Sequence, residues 1–174
     1  IAQNLGATRK TFSLDPDRRW ALNIDEMNAA VTDQTKLITL CNPNNPTGQI
    51  LTEVEMDAVL QAVEHSGAYL LADEIYAGAE RETDDVTSTF YGRHDRVISA
   101  GSMSKSYGLP GLRVGWLVGP ADLISQLWTR HEYLTLSTAI LSNHHLAPLA
   151  LRPDVREQIF ARTRRYIRNG WTNY

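Results

Sequence analysis

The residues with the most evident chemistry lie around Lys105. This is one of three lysines in the chain, and it ends a Ser-x-x-Lys segment that begins at Ser102 and contains Ser104. Arg113 follows eight residues later, in a turn flanked by glycines. A lysine amine can add to a carbonyl group, while hydroxyls and a guanidinium bind phosphate. The cluster therefore predicts a site that holds a phosphorylated aldehyde covalently, and the cofactor of this kind is pyridoxal phosphate.

Each of these residues has a structural alternative. Most lysines are solvated surface groups, but Lys105 directly follows an apolar strand, where a long surface side chain has little use. Serines in glycine-flanked turns often only form the turn, and this alternative is stronger for Ser104 than for Ser102. We interpret the cluster as functional.

A carboxylate and two polar side chains complete the candidate site. Asp73 ends an apolar strand, where a carboxylate needs a cation or several hydrogen-bond donors. A protonated pyridine nitrogen is such a cation, and a capping role is the alternative. Tyr76 and Asn45 could bind the phenolic oxygen of the same ring. The alternative for Tyr76 is an amphipathic side chain with a solvated tip.

Other motifs fit these residues less well. A Walker loop needs glycine directly before its lysine, and Ser104 occupies that position. The Ser-x-x-Lys segment matches penicillin-recognising serine acylases, but the sequence has no Ser-Asp-Asn or Lys-Thr-Gly element. The glycines around Arg113 miss the dinucleotide-binding spacing. His144 and His145 have no carboxylate or cysteine at ligand spacing, so no metal site is predicted.

The elements that position the site alternate along the chain. Four short apolar runs predict buried strands, at 37–41, 68–72, 96–100 and 114–118, and residues 8–14 alternate as a further strand would. Amphipathic helices are predicted after the first run and beyond residue 120. This order predicts an α/β fold with a mostly parallel sheet sandwiched by helices. Ligands of such folds bind at strand carboxyl ends, and Asn45, Asp73 and Lys105 follow such ends.

Four motifs in this order strongly resemble those of class I/II aminotransferases. They are Asn-Pro-Asn-Asn-Pro-Thr-Gly at 42–48, Ala-Asp-Glu-Ile-Tyr at 72–76, Ser-Met-Ser-Lys at 102–105 and Gly-Leu-Arg-Val-Gly at 111–115. The resemblance covers most of the chain. It implies the aspartate aminotransferase fold of fold-type I pyridoxal phosphate enzymes, with this chain as the central part of the large domain.

The resemblance also implies a role for each site residue. Lys105 would form the Schiff base with the cofactor and serve as acid–base catalyst, Asp73 would pair with the pyridine nitrogen, and Tyr76 and Asn45 would contact the phenolic oxygen. The phosphate would be held by Ser102, Ser104 and Arg113. The implied reaction moves an amino group between an α-amino acid and a 2-oxo acid, in a homodimer.

Two other functions remain open from the sequence. Relatives with the same motifs divert the same carbanion into cyclisation, elimination, decarboxylation or oxidation. A regulatory domain that keeps the fold to sense a ligand is the second possibility, although no basic helix-turn-helix segment is visible. Oxo acid release from a half-reaction would favour the aminotransferase.

Composition excludes several classes of protein. The chain of 174 residues is 43% hydrophobic with a net charge of -3, so it lacks the basic excess of nucleic-acid-binding proteins. No apolar run approaches the roughly 20 residues that span a bilayer. A single cysteine, Cys41, excludes an intrachain disulfide and fits a cytoplasmic protein. We expect it to pack as a small hydrophobic residue.

The resemblance divides the chain into two parts. Residues 1–150 would form the cofactor-binding large domain without its N-terminal portion, and residues 151–174 would begin the helix toward a small domain. Ring-stacking and carboxylate-binding residues would then lie outside the chain, so we expect little turnover from it alone. The arginines of the last helix are expected to solvate an exposed face: Arg162, Arg164, Arg165 and Arg168.

Overall fold

The computed structural model describes residues 2–136 and 139–171. For residue 171 it describes the backbone only. Two short strands, β1 (Leu14–Asp15) and β2 (Ala21–Leu22), pair antiparallel near the N-terminus, and helix α1 (Ile24–Ala30) follows. The strand predicted over 8–14 is wrong except at its last residue. An alternating pattern forms a strand only when a neighbour accepts its hydrogen bonds, and residues 8–13 pair with no strand within the described ranges.

The main sheet contains four strands whose spatial order follows the sequence. They are β3 (Leu37–Cys41), β4 (Tyr69–Asp73), β5 (Val97–Ser102) and β6 (Gly115–Val118). The first three are parallel, and β6 is antiparallel to β5. The register pairs Cys41 with Asp73 and Asp73 with Ala100, so the parallel strands end side by side. The α/β fold with a mostly parallel sheet is confirmed.

Helix α2 (Glu53–Ser66) connects β3 to β4 and covers one face of the sheet. Its first turn forms a capping box, in which Thr52 and Glu55 bind each other's backbone amides. The helix ends at Gly67, whose φ of 66° is readily available to glycine. Three of its side chains are fully buried in the core beside Leu70 and Ala72: Met56, Val59 and Val63.

The opposite face of the sheet has less cover. Leu37 of β3 and Leu117 of β6 lie on this face and are 51% and 46% exposed. Strand β3 was expected to be buried on both faces, yet only Ile38 of its five residues is buried. Within the described ranges, the helical sandwich is therefore incomplete on this side.

The C-terminal third is helical, as predicted. It contains α3 (Ala121–His131), a π-helical turn at Ser142–Leu146, α4 (Ala147–Leu151) and α5 (Pro153–Trp171). Phe160 of α5 packs edge-on against Tyr107, with ring centroids 5.0 Å apart. Because Tyr107 lies in the turn after β5, α5 supports the segment that carries Lys105. None of the described helices combines the length and apolar character that crossing a bilayer requires.

The arginines of α5 do not form a uniformly solvated face. Arg164 is 7% exposed, and its Nη2 donates to Glu80 Oε2 at 2.8 Å. The prediction is wrong for this residue, whereas Arg165 is exposed as expected. Two further arginines donate to backbone carbonyls: Arg162 to Tyr107, and Arg168 to Arg81 and Thr83. The helix is thus attached to the loops beyond β4 and β5.

Candidate active site

Tyr76 and Asn45 meet at the carboxyl ends of β3 and β4. The side-chain amide of Asn45 donates to the Tyr76 hydroxyl oxygen at 3.1 Å. Since that oxygen accepts this hydrogen bond, its own proton remains available to a ligand. Asn45 is exposed and Tyr76 is half-buried. The alternative for Tyr76, a hydroxyl that contacts only solvent, does not describe this arrangement, because the hydroxyl has a specific protein partner.

Asn42 fixes the loop that carries Asn45, and the sequence argument missed it. Its side chain is fully buried, its backbone N–H donates to the Asp73 carbonyl at 2.9 Å, and its Oδ1 accepts from Leu51 N–H at 2.9 Å. One residue thereby ties the loop both to β4 and to its own far end. The available signal was a polar residue directly after a strand predicted to be buried. Of its side-chain amide, the oxygen has a hydrogen-bond partner among the described residues, whereas the buried Nδ2 has none.

Lys105 lies next to Tyr76. Its Nζ is 5.7 Å from the centroid of the Tyr76 ring, within the range of a cation–π contact. The turn that carries it is anchored by Met103, which is fully buried and whose N–H donates to the Val114 carbonyl at 3.0 Å. Lys105 itself is exposed. A fixed backbone with an accessible amine suits a nucleophile.

Asp73 ends β4 and is half-buried. Its Oδ1 accepts from the Ile75 N–H at 3.3 Å, so the carboxylate does cap a local turn, as the structural alternative expected. No lysine or arginine of the described segments forms an ion pair with it. Its second oxygen can therefore face a cationic ligand.

Cys41 lies beside Asp73 and has no role as a nucleophile here. Burial raises the pKa of the Cys41 thiol above its ordinary value of 9.0, and the negative charge of Asp73 adds to the effect. Its Sγ lies 3.1 Å from the Pro43 carbonyl oxygen. At neutral pH the side chain is therefore a protonated thiol. It is half-buried and lies outside the described core clusters, so the packing role expected for it stays a prediction.

The candidate phosphate-binding residues lie at the connection between β5 and β6. Ser102 pairs with Gly115 across the two strands, and its Oγ accepts from Ser104 N–H at 3.0 Å, so it does stabilise the turn. The same hydroxyl donates to the Val114 carbonyl at 3.4 Å, which is long for a hydrogen bond. A phosphate oxygen could take the place of this carbonyl as the acceptor. Arg113 is exposed and donates to the Pro110 carbonyl at 3.1 Å. Phosphate binding stays a prediction for all three.

Fold and site together define an α/β domain with a lysine-centred site at the ends of three parallel strands. The family model for aminotransferase class I and II matches residues 1–169. The chain belongs to this family.

Known proteins show the extent of the similarity. An aromatic amino acid aminotransferase of Corynebacterium glutamicum is 40% identical over 128 residues, 73% of this chain and 37% of that protein. A capreomycidine synthase of Streptomyces vinaceus is 36% identical over 141 residues, 81% of this chain and 36% of that protein. The chain thus spans little more than a third of these relatives. A double mutant of Thermus thermophilus aspartate aminotransferase shares the fold, with a TM-score of 0.85 and 19% identity over 94% of this chain and 42% of that one.

Proposed function

We propose that the full-length protein is a pyridoxal phosphate-dependent aminotransferase that moves an amino group between an α-amino acid and a 2-oxo acid. The observation that carries the proposal is the contact of Lys105 with Tyr76, since it places an accessible amine beside the ring of a tyrosine whose hydroxyl Asn45 binds. These residues come from segments more than twenty positions apart in the sequence. Family membership supports the same function.

The donor set fits the cofactor group by group. Lys105 offers the amine that the aldehyde needs, and Asp73 offers a carboxylate without a described cationic partner for the ring nitrogen. Tyr76 and Asn45 would hold the phenolic oxygen. The remaining groups would hold the phosphate: Ser102, Ser104 and Arg113. When bound, the cofactor supplies an electron sink next to the substrate α-carbon.

The residues of the chain would then perform three tasks. Asp73 would keep the ring nitrogen protonated, because an adjacent negative charge favours the cationic form. The amine of Lys105, once freed by the substrate amine, would remove the α-proton as general base and, as general acid, would deliver a proton to the former aldehyde carbon of the cofactor. Tyr76 would donate its hydroxyl proton to the phenolic oxygen and so fix the tilt of the ring relative to Lys105.

Borohydride labelling and a half-reaction with an amino acid, both on the full-length protein, test this function. Borohydride reduction with pyridoxal phosphate present should fix the cofactor to one peptide, and that peptide should contain Lys105. In a separate, unreduced sample, addition of an amino acid should release one equivalent of oxo acid and leave the amine form of the cofactor. A label on Lys10 or Lys36 would show that the site is misassigned.

One observation supports a second candidate within the same cofactor class. A relative that is 36% identical is named as a synthase, capreomycidine synthase, and not as an aminotransferase. The same residues could thus serve a reaction that does not end in amino-group transfer. In the half-reaction experiment, a cyclic product or free ammonia in place of the oxo acid would favour this candidate.

We also propose the larger context of the chain. Residues 1–150 would belong to the cofactor-binding domain and 151–174 to a connecting helix, which the break between α4 and α5 at Arg152 supports. A homodimer is proposed because three apolar side chains in one short segment are at least 84% exposed: Tyr133, Leu134 and Leu136. Sedimentation of the full-length protein tests the dimer. The single cysteine supports a cytoplasmic location.

Changing Tyr76 to phenylalanine should weaken cofactor binding without unfolding the protein. The variant keeps the ring beside Lys105 but loses the hydroxyl, and a hydrogen bond to a charged oxygen accounts for about 10- to 100-fold in affinity. Equilibrium titration with pyridoxal phosphate measures the effect. Tyr69→Phe at the opposite end of β4 is the matched control and should bind as the wild type does. Equal losses in both variants would contradict the role of Tyr76.

A further inference from the structure

The backbone of Ile75 connects three parts of the candidate site. Its N–H donates to Asp73 Oδ1 at 3.3 Å, and its carbonyl accepts from the Ser106 hydroxyl at 3.2 Å. Tyr76 follows it in the chain, and Lys105 precedes Ser106. The N–H of this one residue thus binds Asp73, its carbonyl binds the turn that carries Lys105, and Tyr76 is its neighbour in the chain.

Ser106 is buried, with 2% of its surface exposed, so its hydroxyl is held within the protein. A buried hydroxyl needs a partner, and the described partner is the carbonyl of a residue 31 positions earlier. Among the described hydrogen bonds, this one alone joins the turn at 103–109 directly to the turn at 74–79. It therefore restrains the separation between Lys105 and Tyr76.

We propose that Ser106 is a positioning residue for the reaction, acting through the Ile75 carbonyl on both Lys105 and Tyr76. This inference rests on the proposed function. Ser106 does not itself reach the cofactor in the proposal; it keeps the Lys105 amine and the centroid of the Tyr76 ring 5.7 Å apart. Displacements of about 1 Å in such groups cost on the order of 100-fold in rate. A single hydrogen bond that holds the two turns together can therefore affect the reaction rate.

The test uses the full-length protein with Ser106→Ala, which removes the hydroxyl and leaves the rest of the side chain. Pyridoxal phosphate affinity should fall about fivefold, the effect of one typical hydrogen bond. The pH midpoint of the absorbance change of the bound cofactor should rise by about 0.5 unit. The rise is expected because a loosened Tyr76 donates less well to the phenolic oxygen and so stabilises its negative form less.

A matched control separates positioning from stability. Ser66 is also a serine whose hydroxyl donates to a carbonyl, that of Ala62 at 2.7 Å, but it lies at the end of α2. Ser66→Ala should lower the melting temperature as Ser106→Ala does, with no change in affinity or pH midpoint. Ser106→Thr keeps the hydroxyl and should retain the wild-type midpoint. If Ser106→Ala does not fold, Ser106→Cys serves the same comparison, since a thiol is a weak donor.

Two results would overturn different claims. A wild-type protein that borohydride does not label at Lys105 would refute the proposed function itself. Labelling at Lys105 in the wild type, together with wild-type affinity and midpoint in Ser106→Ala, would refute only the positioning role. A lower melting temperature alone in Ser106→Ala would count as that second result, because a merely structural hydrogen bond predicts it.

Discussion

Replacing Lys105 by alanine should abolish both covalent cofactor attachment and amino-group transfer in the full-length protein. The variant loses the amine that forms the covalent link and the group that carries the α-proton. General acid–base catalysis alone contributes about 100- to 10,000-fold, so activity should fall by at least about 10,000-fold when both roles are lost. Single-turnover oxo acid release measures the rate, and borohydride trapping measures attachment.

The two other lysines of the chain provide the controls. Lys10 is exposed before β1, and Lys36 is exposed at the amino end of β3, opposite the strand end that contributes to the site. Lys10→Ala and Lys36→Ala should retain wild-type labelling and turnover. Residual cofactor binding in Lys105→Ala is compatible with the proposal, because the phosphate and ring contacts remain. Borohydride-stable labelling of Lys105→Ala at the wild-type level would contradict it.

The parts of the fold that follow from local sequence were predicted well. The apolar run at 37–41 coincides with β3, and the helix predicted after that run is α2, which a capping box at Thr52 begins. Both signals act over a few residues, through side-chain burial and through the orphan amides of a helix end. Asn45, Tyr76 and Lys105 come together because parallel strands end at the same edge, which the strand order alone implies.

Contacts between distant residues could not be predicted in this way. Arg164 was interpreted as a surface arginine because charged residues on a helix usually face water. Its partner Glu80 lies 84 positions earlier in a loop, and no local pattern connects the two. The hydrogen bond from Ser106 to Ile75 was likewise not predictable, because serine is common in turns and its partner lies 31 positions earlier. The alternating segment at 8–14 shows the reverse case, since its local strand pattern finds no partner strand among the residues that the structure describes.

Replacing Arg164 by alanine should lower the free energy of unfolding by about 3–5 kcal/mol, because it leaves the Glu80 carboxylate buried without its partner. The side chains of Arg164 and Glu80 are only 8% and 0% exposed. Glu80 also accepts from the N–H groups of Gly78 and Thr87, both at 2.8 Å, so the change reaches the loop that follows Tyr76. Urea denaturation at neutral pH measures the loss. Arg165→Ala, the exposed neighbour, should change stability by less than about 0.5 kcal/mol.

The ion pair of Arg164 and Glu80 should make the free energy of unfolding depend on pH in the acid range. Burial opposes ionisation of Glu80, but the hydrogen bonds from Arg164, Gly78 and Thr87 outweigh it and hold the pKa of the carboxyl below its ordinary value of 4.5. The stabilisation is therefore complete above about pH 4.5 and is lost as the pH falls through the lowered pKa of the folded state. The stability difference between wild type and Arg164→Ala should narrow over that range, because protonated Glu80 no longer needs a cation. The Arg164 guanidinium carbon also lies 6.0 Å from the centroid of the Phe160 ring. A stability difference that stays constant from neutral pH into the acid range would show that Arg164 acts through this contact and not through its ion pair with Glu80.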